Sequence, residues 1–390
     1  IGVFNERLRD AVRGGSPFSD PREQGFVTGL VFANNTTETR DEEDQQIQLN
    51  NYTNWIRLGM AGNLASYEIL RADGSMVPGR LISYNGAPAG YTADPQENIV
   101  YVSAHDNQTL FDAIQAKAPE EATLSDRVRM NNLALSIIMF SQGVPFFHAG
   151  DDILRSKSFN PNSYNSGDWF NELDWTYESN NWGVGLPLEG TGQWEIYKPL
   201  LANPELAPAK SDIAFSSAVF REFLQIRKSS KLFRLETAEQ ISKVVSFHNT
   251  GPDQIPGLII LHLQDVENID PVYEEIIVLF NASPGEITFK DPAFVGKDFA
   301  LHLVQQDSGD ELVRASRFDS KDGSFTVAGR TAAVFNVLKE PVAEPTASQT
   351  ATPEIPAITD PNILLTLIGV IGAFFAVITM MFALRRKDNM

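Results

Sequence analysis

Short apolar, β-branched runs alternate with helical patterns over the first part of this chain. The run Ile99–Phe111, IVYVSAHDNQTLF, is the most informative. It reads as a buried strand that stops at His105-Asp106-Asn107 and then turns helical. The pattern recurs at Gly143-Val144-Pro145-Phe146-Phe147-His148, which leads into Asp151-Asp152 and a loop rich in Asn, Ser and Trp. Buried strands that end in ionisable residues place those side chains at the strand's carboxyl end, the active-site rim of a β/α barrel. Helical spacing is predicted near Asn54–Leu70, with Trp55, Leu58, Met60, Leu64 and Tyr67 on the packed face. A second helix is predicted from an N-cap at Ser125 to a stop at Gly143, and a third over Ser216–Ser230. The Gly-, Pro- and Asn-rich stretches Pro17–Asp44 and Ala149–Pro208 are long for connections inside a compact domain, a length that points to function.

The grammar changes near Ala238. Val244–Phe247, Leu258–Leu263, Ile276–Phe280, Ile287–Phe289, Ala300–Val304, Phe325–Val327 and Val334–Leu338 are short β-rich runs between turn residues, the spacing of an antiparallel sandwich. Residues 341–362 form a Pro/Thr/Ala-rich tether that buries no core. Ile363–Leu384 is uncharged and mostly apolar, and at ~1.5 Å per residue it matches a ~30 Å hydrocarbon layer. The basic residues Arg385-Arg386-Lys387 then predict a cytoplasmic tail over 385–390 and a folded part outside the membrane. The chain opens inside an apparent strand at Ile1-Gly2-Val3-Phe4 with no signal sequence, which reads as a start within a domain.

Composition narrows the function. The 390 residues carry 43% hydrophobic and 21% charged side chains, ordinary for a folded protein. Acidic residues outnumber basic ones 50 to 31, a net charge of −19 that argues against a nucleic-acid partner and suits a neutral ligand. With no cysteine there are neither disulfides nor thiolate metal sites.

The segments HDNQTLFD, GVPFFHAGDDILRSKSFNPNSYNSGDWFNELDW, FNERLRDAVRGG and YNGAPAGYTADP resemble the pullulanase type of debranching glucosidase in the alpha-amylase superfamily. The likeness runs from Ile1 to about Leu338. It implies an α/β fold: the C-terminal part of a (β/α)8 TIM barrel over 1–237, then an antiparallel β-sandwich over 238–340, ahead of the tether and the C-terminal transmembrane helix. It also implies retaining hydrolysis of α-1,6 branch linkages in pullulan, glycogen, amylopectin or limit dextrins. Hydrolysis of this kind uses a carboxylate nucleophile, a carboxylic acid and groups that favour an oxocarbenium-like transition state. By the resemblance Asp106 is the transition-state-stabilising carboxylate, His105 hydrogen-bonds hydroxyls of the cleaved sugar, and Asn107 supports the pair or lines the pocket. In the following loop Arg155, Lys157, Tyr164, Asp168, Trp169 and Asn171 would bind sugar hydroxyls and faces, with Trp182 a further stacking candidate. Relatives usually carry an Arg-Asp pair just before SYNSGDW, where this chain has Pro161-Asn162.

Taken without the resemblance, Asp106 could equally cap a helix starting near Gln108. In the resemblance, the nucleophile and the acid lie ahead of FNERLRDAVRGG, so this chain by itself is expected to be inactive. No cofactor is required. Asp151-Asp152 reads either as a solvated acidic turn or as part of a structural Ca²⁺ site, with no other ligand identifiable. The partners expected are a branched α-glucan and, through the C-terminal helix, the extracellular face of a cell membrane, with no nucleic acid. The competing readings are a non-catalytic cell-surface glucan-binding protein and an α-1,4-acting amylase or glucanotransferase.

Overall fold

The computed structural model describes residues 1–188 and 191–340. In chain order the first elements are β1 (Val3–Phe4), α1 (Glu6–Arg13), α2 (Glu42–Met60), and the hairpins β2 (Glu68–Leu70)/β3 (Met76–Pro78) and β4 (Ser83–Tyr84)/β5 (Ala87–Pro88). They are followed by β6 (Asn98–Val100), α3 (Leu110–Lys117), α4 (Leu124–Met139), β7 (Val144–Pro145), α5 (Trp194–Leu201) and α6 (Lys210–Ser229). The chain continues with α7 (Ala238–Val244), β8 (Val245–His248), β9 (Leu258–Gln264), β10 (Tyr273–Asn281), β11 (Ile287–Lys290) and β12 (Ala300–Leu301). Two short helices, α8 (Leu303–Gln306) and α9 (Glu311–Arg314), precede β13 (Arg317–Asp319), β14 (Ser324–Val327) and β15 (Thr331–Leu338).

The parallel sheet has the order β1-β6-β7, with Val3 opposite Asn98 and Ile99 opposite Val144. It is open. Among the described residues β1 and β7 have no outer partner, and Val3, Phe4 and Val144 are exposed. This corrects the expected barrel. Closing a sheet on itself takes a full set of staggered, tilted strands, and three strands of two or three residues cannot curve that far. The rim-pointing motif that suggested a barrel is common to any parallel α/β sheet.

The expected transmembrane helix finds no support among the described residues, and its segment lies outside them. Among the described residues no helix is long and apolar enough to cross a membrane. The longest, α6 and α2, carry six and four charged residues respectively. The tether 341–362, the apolar segment 363–384 and the tail 385–390 lie outside the described residues.

The core forms where α4 meets α6 and the β-rich part. Phe140, fully buried at the end of α4, packs its ring on Phe223, Phe233 and Phe280. After it, Gly143 turns the chain into β7 with φ +96°, and an added Cβ would lie 2.7 Å from the Asn98 carbonyl oxygen. Only glycine takes that conformation and approach without strain.

In the β-rich part a five-stranded antiparallel sheet, β12-β15-β10-β9-β8, faces a three-stranded one, β11-β14-β13. Leu258, Ile260, Ile277, Leu279 and Phe335 meet Phe325 and Val327 between the two sheets. The other face of β9 and β10, with Ile259, Leu261, Val278 and Phe280, joins the helical core. Burial on both faces explains why these two strands read as continuous apolar runs.

Candidate active-site cleft

Beyond β6 the chain runs through Tyr101–Ala104 to His105-Asp106-Asn107 and then into α3. The N-cap of α3 is Thr109, whose hydroxyl accepts the Asp112 amide at 3.1 Å. Asp106 is therefore free of any capping role. Its side chain is 71% exposed and that of His105 84%, with His105 Nε2 and Asp106 Oδ1 3.4 Å apart. Asn107 takes a left-handed conformation at φ +65° and donates its backbone N–H to the Pro161 carbonyl at 2.7 Å.

These residues border a cleft of about 160 Å³ whose other walls include Phe4, Arg9, Arg13, Tyr101 and Ser103. The two arginines were missed in the sequence. They stand four apart in RLRDAVR, one helical turn, directly after a predicted strand, a spacing that puts both on one face of α1. Arg9 donates to Asp10 Oδ1 at 2.7 Å and to the Tyr101 hydroxyl at 2.6 Å. Arg13 is buried, donates to the Val102 carbonyl at 2.9 Å, and its pKa is lowered to about 10 by that burial. The cleft thus combines one carboxylate, one imidazole, two guanidinium groups and two aromatic rings.

The loop after β7 supplies the remaining sequence-predicted residues. Arg155 donates to the Ala149 carbonyl at 2.9 Å and reaches Asn171 through its carbonyl at 3.3 Å and Oδ1 at 3.4 Å. It also lies 3.0 Å from His148 Nε2. Burial, and then the Arg155 cation, lower the His148 pKa to about 4, so this imidazole is neutral and its Nε2 accepts from Arg155.

Asn171 is pinned by Ser163, whose Oγ donates to Asn171 Oδ1 at 2.9 Å. Lys157 is buried and directs its ammonium at the His105 carbonyl, 3.1 Å away. Tyr164, Asp168 and Trp169 are not buried and line no part of the cleft. The Trp169 ring lies over Gly167, where an added Cβ would come within 2.0 Å of it. Trp182 is set edge-on against Phe111 and Phe159, at ring distances of 5.7 and 5.4 Å, which makes it a packing residue.

The Asp151-Asp152 turn does not assemble a cation shell. Asp151 is buried, with Oδ1 accepting from the Ser103 hydroxyl at 2.7 Å and Oδ2 from the His148 amide at 3.1 Å. Asp152 accepts from Ser217 at 3.3 Å. Among the described residues no group of three or more acidic, His or Cys side chains could hold a metal ion.

Residues 177–337 match the family model described as "Alpha-1,6-glucosidases, pullulanase-type, C-terminal". The chain is 48% identical over 345 residues to pullulanase 1, chloroplastic, of Arabidopsis thaliana, covering 86% of this chain and 36% of that protein. The chain belongs to the pullulanase family. A Klebsiella pneumoniae pullulanase is 38% identical over 351 residues, covering 86% of this chain and 31% of that protein. The crystal structure of Klebsiella pneumoniae pullulanase complexed with maltotriose superposes with a TM-score of 0.81 at 38% identity, covering 87% of this chain and 33% of that one.

This pullulanase-family chain thus spans about a third of the length of the relatives it matches. The His105–Asn171 region lies ahead of the family-model match. The longer matches leave too few residues over to miss it, whichever end they omit.

Proposed function

We propose that this chain carries part of the substrate site of an α-glucan debranching hydrolase acting on α-1,6 linkages, with Asp106 as the carboxylate that stabilises the oxocarbenium-like transition state. The observation that carries this reading is the uncapped, exposed His105–Asp106 pair at the end of a parallel strand, beside a small polar cleft. An acid with no structural task, next to an imidazole and ringed by donors, suits a polyhydroxylated ligand that develops positive charge. Membership of the pullulanase family supports the substrate class.

Glycoside hydrolysis of the retaining kind uses two further carboxyl groups across the scissile bond, and Asp106 is the one acidic residue among those lining this cleft. The reading is therefore that the chain by itself binds glucan without cleaving it. Calorimetric titration with maltotriose is expected to show binding that Asp106→Ala weakens, with no reducing sugar released from pullulan. Absence of any maltotriose binding by the wild-type chain would overturn the substrate class. Release of maltotriose from pullulan would overturn the assignment of a single carboxylate.

A further inference from the structure

The basic residues of the loop after β7 were expected to meet sugar, and Lys157 does something else. Its side chain is 1% exposed. Its Nζ donates to the backbone carbonyl of His105 at 3.1 Å. Its own backbone is held from the other side by Asp112. The Asp112 carboxylate, fully buried in the first turn of α3, accepts from the Ser156 hydroxyl at 2.5 Å, the Lys157 amide at 2.8 Å and the Phe159 amide at 3.1 Å.

These contacts close a ring. The chain runs from His105 into α3 and Asp112, hydrogen bonds run from Asp112 to the 156–159 backbone, and the Lys157 ammonium returns to His105. Asn107 N–H to the Pro161 carbonyl at 2.7 Å is a second tie between the same two segments.

The loop needs such restraint. Ser158 and Phe159 both sit at positive φ, +46° and +64°, and non-glycine residues in that region cost of order 1–3 kcal/mol each unless their surroundings hold them. Phe159 is held by its ring, stacked on Tyr197 at 4.3 Å. The free ends of this system are His105 and Asp106, whose side chains reach solvent while the backbone beneath them is tied.

We propose that Lys157 is a positioning residue: it fixes the His105–Asn107 backbone through the His105 carbonyl, and it is not a ligand for the sugar. The proposal rests on the reading of this cleft as a glucan site only in what the loop is positioned for. A buried ammonium already spent on a carbonyl has no free path to a hydroxyl in the cleft. The charged groups that act on it are Asp112 and Asp106, which favour its protonated form, and Arg155, which opposes it. Burial outweighs both aspartates and lowers its pKa to about 8. Loss of the proton leaves a neutral amine, a weaker donor to the carbonyl than an ammonium.

Hydrogen–deuterium exchange of the full chain tests this, with rates corrected for the intrinsic effect of pH. Protection of the Asn107 amide, which donates to the Pro161 carbonyl, is expected to fall at least tenfold in Lys157→Met, while the β9 and β10 amides stay unchanged. In the wild type the same protection is expected to fall between pH 7 and 9.5 with a midpoint near 8, and the variant should show no such step. Unchanged protection of the Asn107 amide in the variant, with maltotriose affinity lost, would make Lys157 a sugar ligand and overturn the proposal.

Should Lys157→Met fail to fold, acetylation of the wild-type chain decides. Lys157 is expected to react at least tenfold more slowly than the exposed Lys210 and Lys290. Equal rates would overturn the proposal. A wild-type chain that binds no maltotriose but shows the exchange pattern would remove the glucan reading and leave the tie standing.

Discussion

Asp151 gives the clearest test of how burial shapes this molecule. Its carboxyl group is enclosed between the strand ends, and burial pushes its pKa from 3.8 up to about 7. The hydrogen bonds from Ser103 and the His148 amide pull the other way, as does the Arg155 charge, while neighbouring Asp152 adds repulsion. The folded chain therefore keeps a proton that the unfolded chain has already released. Stability from this group is fully present below about pH 4 and is lost as pH rises to about 7, after which it is flat.

At ~1.4 kcal/mol per pH unit, the displacement from 3.8 to about 7 corresponds to a loss of about 4 kcal/mol over that window. Asp151→Asn removes the titration and keeps the shape. The amide oxygen can accept from the His148 N–H, and the amide nitrogen can donate to the Ser103 oxygen, which turns from donor to acceptor. Urea unfolding followed by tryptophan fluorescence at pH 4, 5.5, 7 and 8.5 measures the difference between wild type and variant, so all other titrations cancel. The variant should gain about 4 kcal/mol on the wild type between pH 4 and 8.5. A difference constant within about 1 kcal/mol across the series would refute the burial argument.

Two further outcomes follow from the packing. Phe140→Ala opens a hole where four aromatic rings meet and should cost about 3–5 kcal/mol in the same unfolding assay. Gly143→Ala forces a left-handed backbone on alanine and drives its Cβ toward the Asn98 and Pro95 carbonyls, at 2.7 and 2.9 Å. It should cost at least 1 kcal/mol, with the loss of protection concentrated at β6 and β7 in hydrogen exchange.

The strands of the β-rich part were legible because burial on one or both faces writes itself directly into side-chain type. β9, β10, β14 and β15 fall on the expected runs, with ends shifted by a few residues. The expected strand Ala300–Val304 stops after two residues, where His302 caps α8 by accepting the Val304 amide. The strand Arg317–Asp319 gave little signal because only Phe318 turns toward the core, with a charged residue on either side.

Helix positions were less secure. The helix expected at Asn54–Leu70 spans Glu42–Met60, because its first turns carry Glu42, Glu43 and Asp44, favourable at an N-terminus but silent in a search for apolar spacing. The capping box Thr123–Asp126 likewise starts α4 before the predicted Ser125. Sheet closure was beyond reach for a different reason: it depends on how many strands join, and a local pattern contains no count.

The loop after β7 shows where residue type misleads. Its Ser, Asn, Arg and Lys side chains read as a solvated, ligand-facing surface, yet Ser156, Lys157, Ser158, Asn160, Asn180 and Asn181 are buried. Their polar groups are used on backbone: Asn180 donates to the Leu154 carbonyl at 2.7 Å, Asn181 to the Trp169 carbonyl at 2.7 Å, and Ser158 Oγ accepts the amides of Gly183 and Val184 at 3.1 Å. An irregular segment has no ladder to satisfy its own N–H and C=O groups, so folding it inward requires side chains that can do so. The polar composition that looks like recognition is in large part the cost of burying a loop. The side chains the loop does not consume are the exposed ones: Tyr164, Asp168 and Trp169 on the loop itself, and the His105–Asp106 pair whose backbone it ties.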